Sequence, residues 1–152
     1  MKTLVQRVSR AEVRVDGRPI GRIGVGLLVF VGVECGDAVA DAEYFAEKTA
    51  ELRVFADEQG RMNRSLTDVG GAALVVSQFT LAADTRRGRR PSWGRAASPD
   101  EAVPLYEHFI DCLRRRSIDV ERGRFQAMME VELVNDGPVT LLLDPPPWRR
   151  GE

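Results

Sequence analysis

Apolar positions along the chain fall into two rhythms, one suited to strands and one to helices. Gly26–Val33 and Ala72–Ser77 are nearly unbroken apolar runs of strand length, the pattern of strands covered on both faces. Leu4–Val8 and Val13–Val15 read as further strands, with Asp16-Gly17 a turn after which the chain resumes at Pro19-Ile20. Arg53–Phe55 reads as a short strand ending at the turn Asp57–Gly60. Met129–Asn135 alternates, with Met129, Val131 and Leu133 on one side and Glu130 and Glu132 on the other, as in a strand with one wet face. Gly137-Pro138 then interrupts, before a last strand Val139–Leu143.

Helical spacing appears twice. Val39, Ala42, Phe45, Ala46 and Thr49 recur within Asp37–Leu52, with Asp37 placed to cap the start. A second helix begins at Pro99 after a Ser98 cap and turns Leu105, Phe109 and Leu113 inward. No internal repeat or linker divides the chain. The pattern predicts one compact α+β domain over residues 1–144, a mixed or antiparallel sheet packed with two main helices. The proline-rich, charged tail 145–152 is expected to be loose.

Composition narrows the function classes. At 152 residues the chain can bury a core without a disulfide or metal. No run approaches the roughly 20 apolar residues of a membrane helix. The opening Met1–Arg7 lacks a signal peptide's apolar block, so a cytoplasmic location with no membrane partner is expected. Cys35 and Cys112 have no C-x-x-C partner, and the single histidine, His108, falls in the second amphipathic helix, where a structural or solvent-facing role is expected. No metal or cofactor is expected, and a histidine-based triad has no well-placed candidate.

The formal charge of −1 conceals a local asymmetry. Arg86, Arg87, Arg89, Arg90 and Arg95 stand against a single acid, Asp84, on a segment that Gly88, Pro91 and Gly94 mark as a loop. A second basic stretch runs from Arg114 to Arg124. The chain holds only two lysines, and arginine's planar fork suits phosphates and bases, so nucleic-acid contact fits, with Trp93 as a stacking surface. Solvated charge is the plainer alternative.

Two segments could carry chemistry. Ser77, Gln78 and Thr80 gather two hydroxyls and an amide where a buried strand leaves the core, a set able to hold an ester carbonyl and its oxyanion, or merely to satisfy a strand end. Asn135–Thr140 is either a turn or a backbone wall built on Gly137-Pro138.

Together these motifs resemble the D-aminoacyl-tRNA deacylase family. The likeness rests on Ser77–Leu81 followed by Ala82–Thr85, on Arg90–Ser92, and on Asn135–Thr140. Gln6–Val8, Gly26–Val29 and Gly123–Phe125 also match, so the resemblance covers roughly residues 1–144. It implies a barrel-like fold and a homodimer without cofactor that hydrolyses the ester of D-aminoacyl-tRNA, and of glycine mischarged on alanine tRNA. It further implies a catalytic floor of Ser77, Gln78, Phe79 and Thr80. Gly137 and Pro138, joined in cis and reaching into the partner's pocket, would exclude L-amino acids. Arg7 would hold that pair, Val139 and Thr140 would support it, and Arg86, Arg87, Arg89 and Arg90 are the candidate RNA contacts. Thr80 as nucleophile and assistance by the tRNA 2′-hydroxyl both remain open, as do a non-catalytic nucleic-acid-binding dimer and an editing deacylase with relaxed chirality.

Overall fold

A computed structural model describes residues 1–149. Its elements are β1 (Lys2–Val15), β2 (Arg18–Ile23), β3 (Gly26–Gly32), α1 (Val39–Glu51), β4 (Phe55–Ala56), β5 (Met62–Arg64), β6 (Ala72–Ser77), α2 (Pro99–Arg115), β7 (Val120–Arg122) and β8 (Glu130–Leu142). Short 3-10 turns lie at Phe79–Ala82 and Pro147–Arg149.

One sheet organises the molecule, in the order β2-β1-β3-β6-β7, with β8 on the free side of β1. β1 runs antiparallel to β2, β3 and β8, whereas β3, β6 and β7 are parallel to one another. The parallel pairs follow from the connections: β3 reaches β6 through α1, and β6 reaches β7 through α2, and only a long crossover can return a strand in the same direction. Because β2 curls over to touch β6 and β7, the sheet becomes barrel-like.

β3 explains its own apolar run. Leu27, Val29 and Val31 face a core shared with Phe45 of α1 and Tyr106, Phe109 and Leu113 of α2. Leu28 turns the other way, into a second core with Val8, Val13, Leu74 and Val76 inside the curled sheet. A strand packed on both faces has no wet side to break the run.

Several expectations are corrected. β1 is continuous through Ser9 and Arg10, because those exposed residues fall at register shifts in its pairing with β8. Gly137-Pro138 does not end a strand; β8 continues past it, the irregularity taken up opposite Gln6–Val8. The strand expected at Arg53–Phe55 is Phe55–Ala56, paired with β5. Asp37 does not cap α1. Its carboxylate accepts from the Met1 ammonium and from Glu34 N, and Asp41 instead accepts from Ala38 N at 2.8 Å. On α2, Tyr106 and Ile110 join Phe109 and Leu113 inside, leaving Leu105 half-buried. The tail expected to be loose is docked through residue 149: Trp148 meets Tyr44 edge-on at 5.6 Å and Arg149 Nη2 pairs with Asp41 at 2.7 Å. The rest of that tail, 150–152, lies outside the described residues.

Candidate active site

The C-terminal end of β6 positions the first segment. Ser77 pairs with Val31 in the parallel ladder, and Gln78 N donates to Val31 O at 2.8 Å. The chain then tightens into the 3-10 turn. β3 leaves room for it with Gly32, where a Cβ would lie 2.8 Å from Gln78 O and 3.0 Å from Leu81 Cβ. In such a turn the leading N–H groups, those of Phe79 and Thr80, have no carbonyl of their own turn to bond. Gln78 Nε2 donates to Thr80 Oγ1. Phe79 is 54% exposed and meets Trp93 edge-on at 5.2 Å.

α2 braces this end of the sheet. The buried Tyr106 hydroxyl donates to Val75 O at 2.9 Å, two residues before Ser77, and burial pushes its pKa up to about 12. It therefore stays protonated and keeps that bond at any physiological pH. Arg122 lies over the same ring at 5.4 Å and forks onto Glu107.

Beside Ser77, Gln78 and Phe79 opens a cavity of about 560 Å³, walled by Val33, Val76, Ala102 and Phe125 and rimmed by Gln126 and Met128. None of its described lining residues carries a titratable side chain. The lining from Phe125 to Met129 was not foreseen. Gln126, at φ 60°, turns the chain, and Met128 stands 90% exposed at the rim. The available signal was the apolar pair Ala127-Met128 directly ahead of the alternation that begins at Met129.

The second segment is built on β8. The Gly137-Pro138 peptide is cis and Gly137 sits at φ 118°. Arg7 braces it: Nε donates to Asp136 O at 3.2 Å and Nη1 to Val54 O. Asn135 Nδ2 donates to Arg7 O and Val139 O, both at 3.0 Å, and Thr140 Oγ1 donates to Asn135 Oδ1 at 3.1 Å. Arg7, Val139 and Thr140 are thus gathered around the pair.

Within one chain the two segments stay apart. Arg7, beside Gly137, pairs with Leu27 of β3, whereas Ser77 pairs with Val31. That is four residues along β3, about 13 Å, and three strands across the sheet.

The basic segments separate as well. Arg86 forks onto Asp84, and that hydrogen bonding, with the Arg86 N–H, holds the Asp84 carboxyl far below the usual range. Arg95 pairs with Glu34. Arg87, Arg89 and Arg90 are exposed and form no ion pair among the described residues. Most of the second stretch is spent internally, Arg114 on Asp111, Arg116 on Glu47 and Glu51, and Arg122 on Glu107.

Residues 4–144 match the family model described as D-Tyr-tRNA(Tyr) deacylase. The chain belongs to that family. The D-aminoacyl-tRNA deacylase of Roseiflexus castenholzii is 62% identical over 144 residues, 95% of this chain and 92% of that protein. The D-aminoacyl-tRNA deacylase of Thermomicrobium roseum is 58% identical over 151 residues, 99% of this chain and 98% of its own. Among solved structures, one titled c-Myc DNA Unwinding Element Binding Protein superposes with a TM-score of 0.89 at 39% identity, covering 96% of this chain and 99% of that one. One titled as a probable eukaryotic D-amino acid tRNA deacylase superposes at 0.79 and 16% identity, covering 93% and 97%, a likeness of fold. Both candidate segments fall inside the span matched by the D-Tyr-tRNA(Tyr) deacylase family.

Proposed function

We propose that the protein is a D-aminoacyl-tRNA deacylase, a carboxylic ester hydrolase that frees a D-amino acid from the 3′ end of tRNA and acts as a homodimer in the cytoplasm. Among the described residues, no helix is long and apolar enough to cross a membrane. The observation that carries the reading is the pairing of an uncharged cavity beside Ser77–Phe79 with a braced Gly137-Pro138 that its own chain holds on β8, three strands across the sheet from β6. In this reading a second copy supplies Gly137-Pro138 to the cavity, so the complete site requires the homodimer.

The cavity's chemistry favours assistance by the substrate. Thr80 is a poor nucleophile without a base, and its hydroxyl is held by the amide of Gln78, which is none. An aminoacyl ester is already activated and brings a 2′-hydroxyl at high effective concentration. In this mechanism water adds to the ester carbonyl carbon. The N–H groups of Phe79 and Thr80 hold the oxyanion, with Ser77 and Gln78 completing the floor. The bond to the 3′-oxygen then breaks, and the proton given up by water reaches that oxygen through the 2′-hydroxyl. Losing one oxyanion donor typically costs on the order of 100- to 1000-fold in rate.

Selection of the D hand falls to main chain. Gly137 and Pro138, held by Arg7 and supported by Val139 and Thr140, fence out an L side chain without gripping a D one. Rejecting L-esters about 1000-fold requires only about 4 kcal/mol. Glycine offers the fence nothing to exclude, so glycine mischarged on alanine tRNA is accepted. Arg87, Arg89 and Arg90 meet phosphates, with Arg86 a weaker contact because Asp84 holds it.

A non-catalytic nucleic-acid-binding dimer is the second reading, favoured by the solved relative whose title names a DNA element. Incubation with D- and L-tyrosyl-tRNA separates the readings. Release of free D-tyrosine but not L-tyrosine is expected. Binding without release would favour the second reading, and equal release of both hands would indicate an editing deacylase of relaxed chirality.

A further inference from the structure

Three ligating side chains of different chemistry meet between the two helices. His108 and Cys112 are four residues apart on α2 and so share a face. Glu43 reaches them from α1, its Oε1 3.0 Å from His108 Nε2. One ligand atom from each of the three lies within 4.8 Å of the others. None of them lines the cavity, and His108 lies six residues beyond Ala102, about 9 Å along the helix.

An imidazole, a thiolate and a carboxylate form a donor set that suits zinc and is too soft for magnesium or calcium. Tetrahedral zinc, with bonds of about 2.0–2.3 Å, places its donors about 3.5 Å apart. The glutamate–imidazole pair is already inside that distance, and the thiol must close by about 1 Å. The side chains have room to do so: Glu43 is 55% and His108 28% exposed, and Cys112 is half-buried against the core. Arg115 Nη2 lies 3.1 Å from Cys112 Sγ and donates to it, which marks the sulfur as reachable from the helix surface.

We propose that Glu43, His108 and Cys112 form a zinc site that ties α1 to α2 and leaves the fourth position to water. The site does not depend on the deacylase reading, since all three ligands stand outside the cavity. Its occupancy would link the stability of the helix layer to zinc supply.

The test uses the untagged full chain with Co²⁺ as a spectroscopic probe and Zn²⁺ as competitor. The expected result is one equivalent of Co²⁺ bound with a thiolate-to-metal absorption band, displaced by Zn²⁺, and a thermal midpoint raised by Zn²⁺. Cys112→Ser should abolish the band and the midpoint shift, whereas Cys35→Ser, at the exposed second thiol, should keep both. Glu43→Gln and His108→Asn should each weaken Co²⁺ binding by at least about tenfold. These two alter partly exposed side chains, and they carry the test should Cys112→Ser fail to fold. No saturable thiolate band, a band that survives in folded Cys112→Ser, or unchanged affinity in both Glu43→Gln and His108→Asn would overturn the proposal.

Discussion

Replacing Gly137 with alanine strikes the segment proposed to choose the substrate's hand. Gly137 sits at φ 118°, a conformation that side-chain-bearing residues rarely adopt, and holding alanine there costs about 1–3 kcal/mol. The added Cβ would also stand 2.7 Å from Arg7 Nη2 and 3.1 Å from Val139 Cγ2. Arg7 can retreat only by loosening its bonds to Asp136 O and Val54 O, and hydrogen bonds to charged groups contribute about 1.5–3 kcal/mol each. The backbone therefore either keeps its path at a cost in stability or relaxes and moves the fence. If it keeps its path, the conformational cost alone lowers the melting midpoint by about 2–12 °C for a chain of this size. If it relaxes, losing about 1–3 kcal/mol of discrimination cuts the preference for D- over L-tyrosyl-tRNA by about 5- to 150-fold. Initial deacylation rates on both substrates, measured beside thermal melting, resolve the two. A variant with the wild-type preference and the wild-type midpoint would refute the argument that this backbone position excludes a side chain.

Other perturbations also have defined outcomes. Thr80→Ala should keep deacylation within about tenfold of wild type, whereas a tRNA ending in 2′-deoxyadenosine should react at least on the order of 100-fold more slowly; single-turnover rates showing the reverse would make Thr80 the nucleophile. Changing Arg87, Arg89 and Arg90 together to alanine should reduce the log–log salt slope of tRNA binding by about two, as expected for about three lost phosphate contacts. Arg86→Ala should change it less, and filter binding across a salt series measures both. Burial by itself raises the Asp41 carboxyl, but hydrogen bonds from Arg149 and Ala38 N–H, the Arg149 charge and Trp148 hold it below its ordinary value. A carboxyl depressed in the folded state stabilises above its unfolded value near 3.9, and that contribution is lost as pH falls through the folded value. Asp41→Asn should therefore lower the melting midpoint at neutral pH, with the gap from wild type narrowing below about pH 4; a gap independent of pH would contradict the ion pair's role.

What could be read in advance follows how locally each feature is encoded. β6 and α2 match the residues expected, because a doubly covered strand shows as an apolar run and Ser98-Pro99 begins a helix by its own chemistry. β5 and β7, three residues each, are too short to show a period. Composition marks Asp37 as the cap, but the Met1 ammonium, folded back from the start of the chain, engages it, and Asp41 within the first turn accepts from Ala38 N instead.

The sequence by itself determined both helices and the long apolar strands, where Ser77–Thr80 leaves the core, and that Gly137-Pro138 lies in a motif of its own. Those properties depend on a residue and its near neighbours, so periodicity and turn chemistry record them. Only the tertiary structure decided that these two segments part company within one chain, that Arg86 is held by Asp84 while Arg87, Arg89 and Arg90 are not, and that Glu43 meets His108 across 65 residues. Each of those outcomes depends on strand register and on how two crossovers lay the helices together. Register and helix packing are set by the sum of many contacts across the fold, and no short stretch of sequence carries that sum.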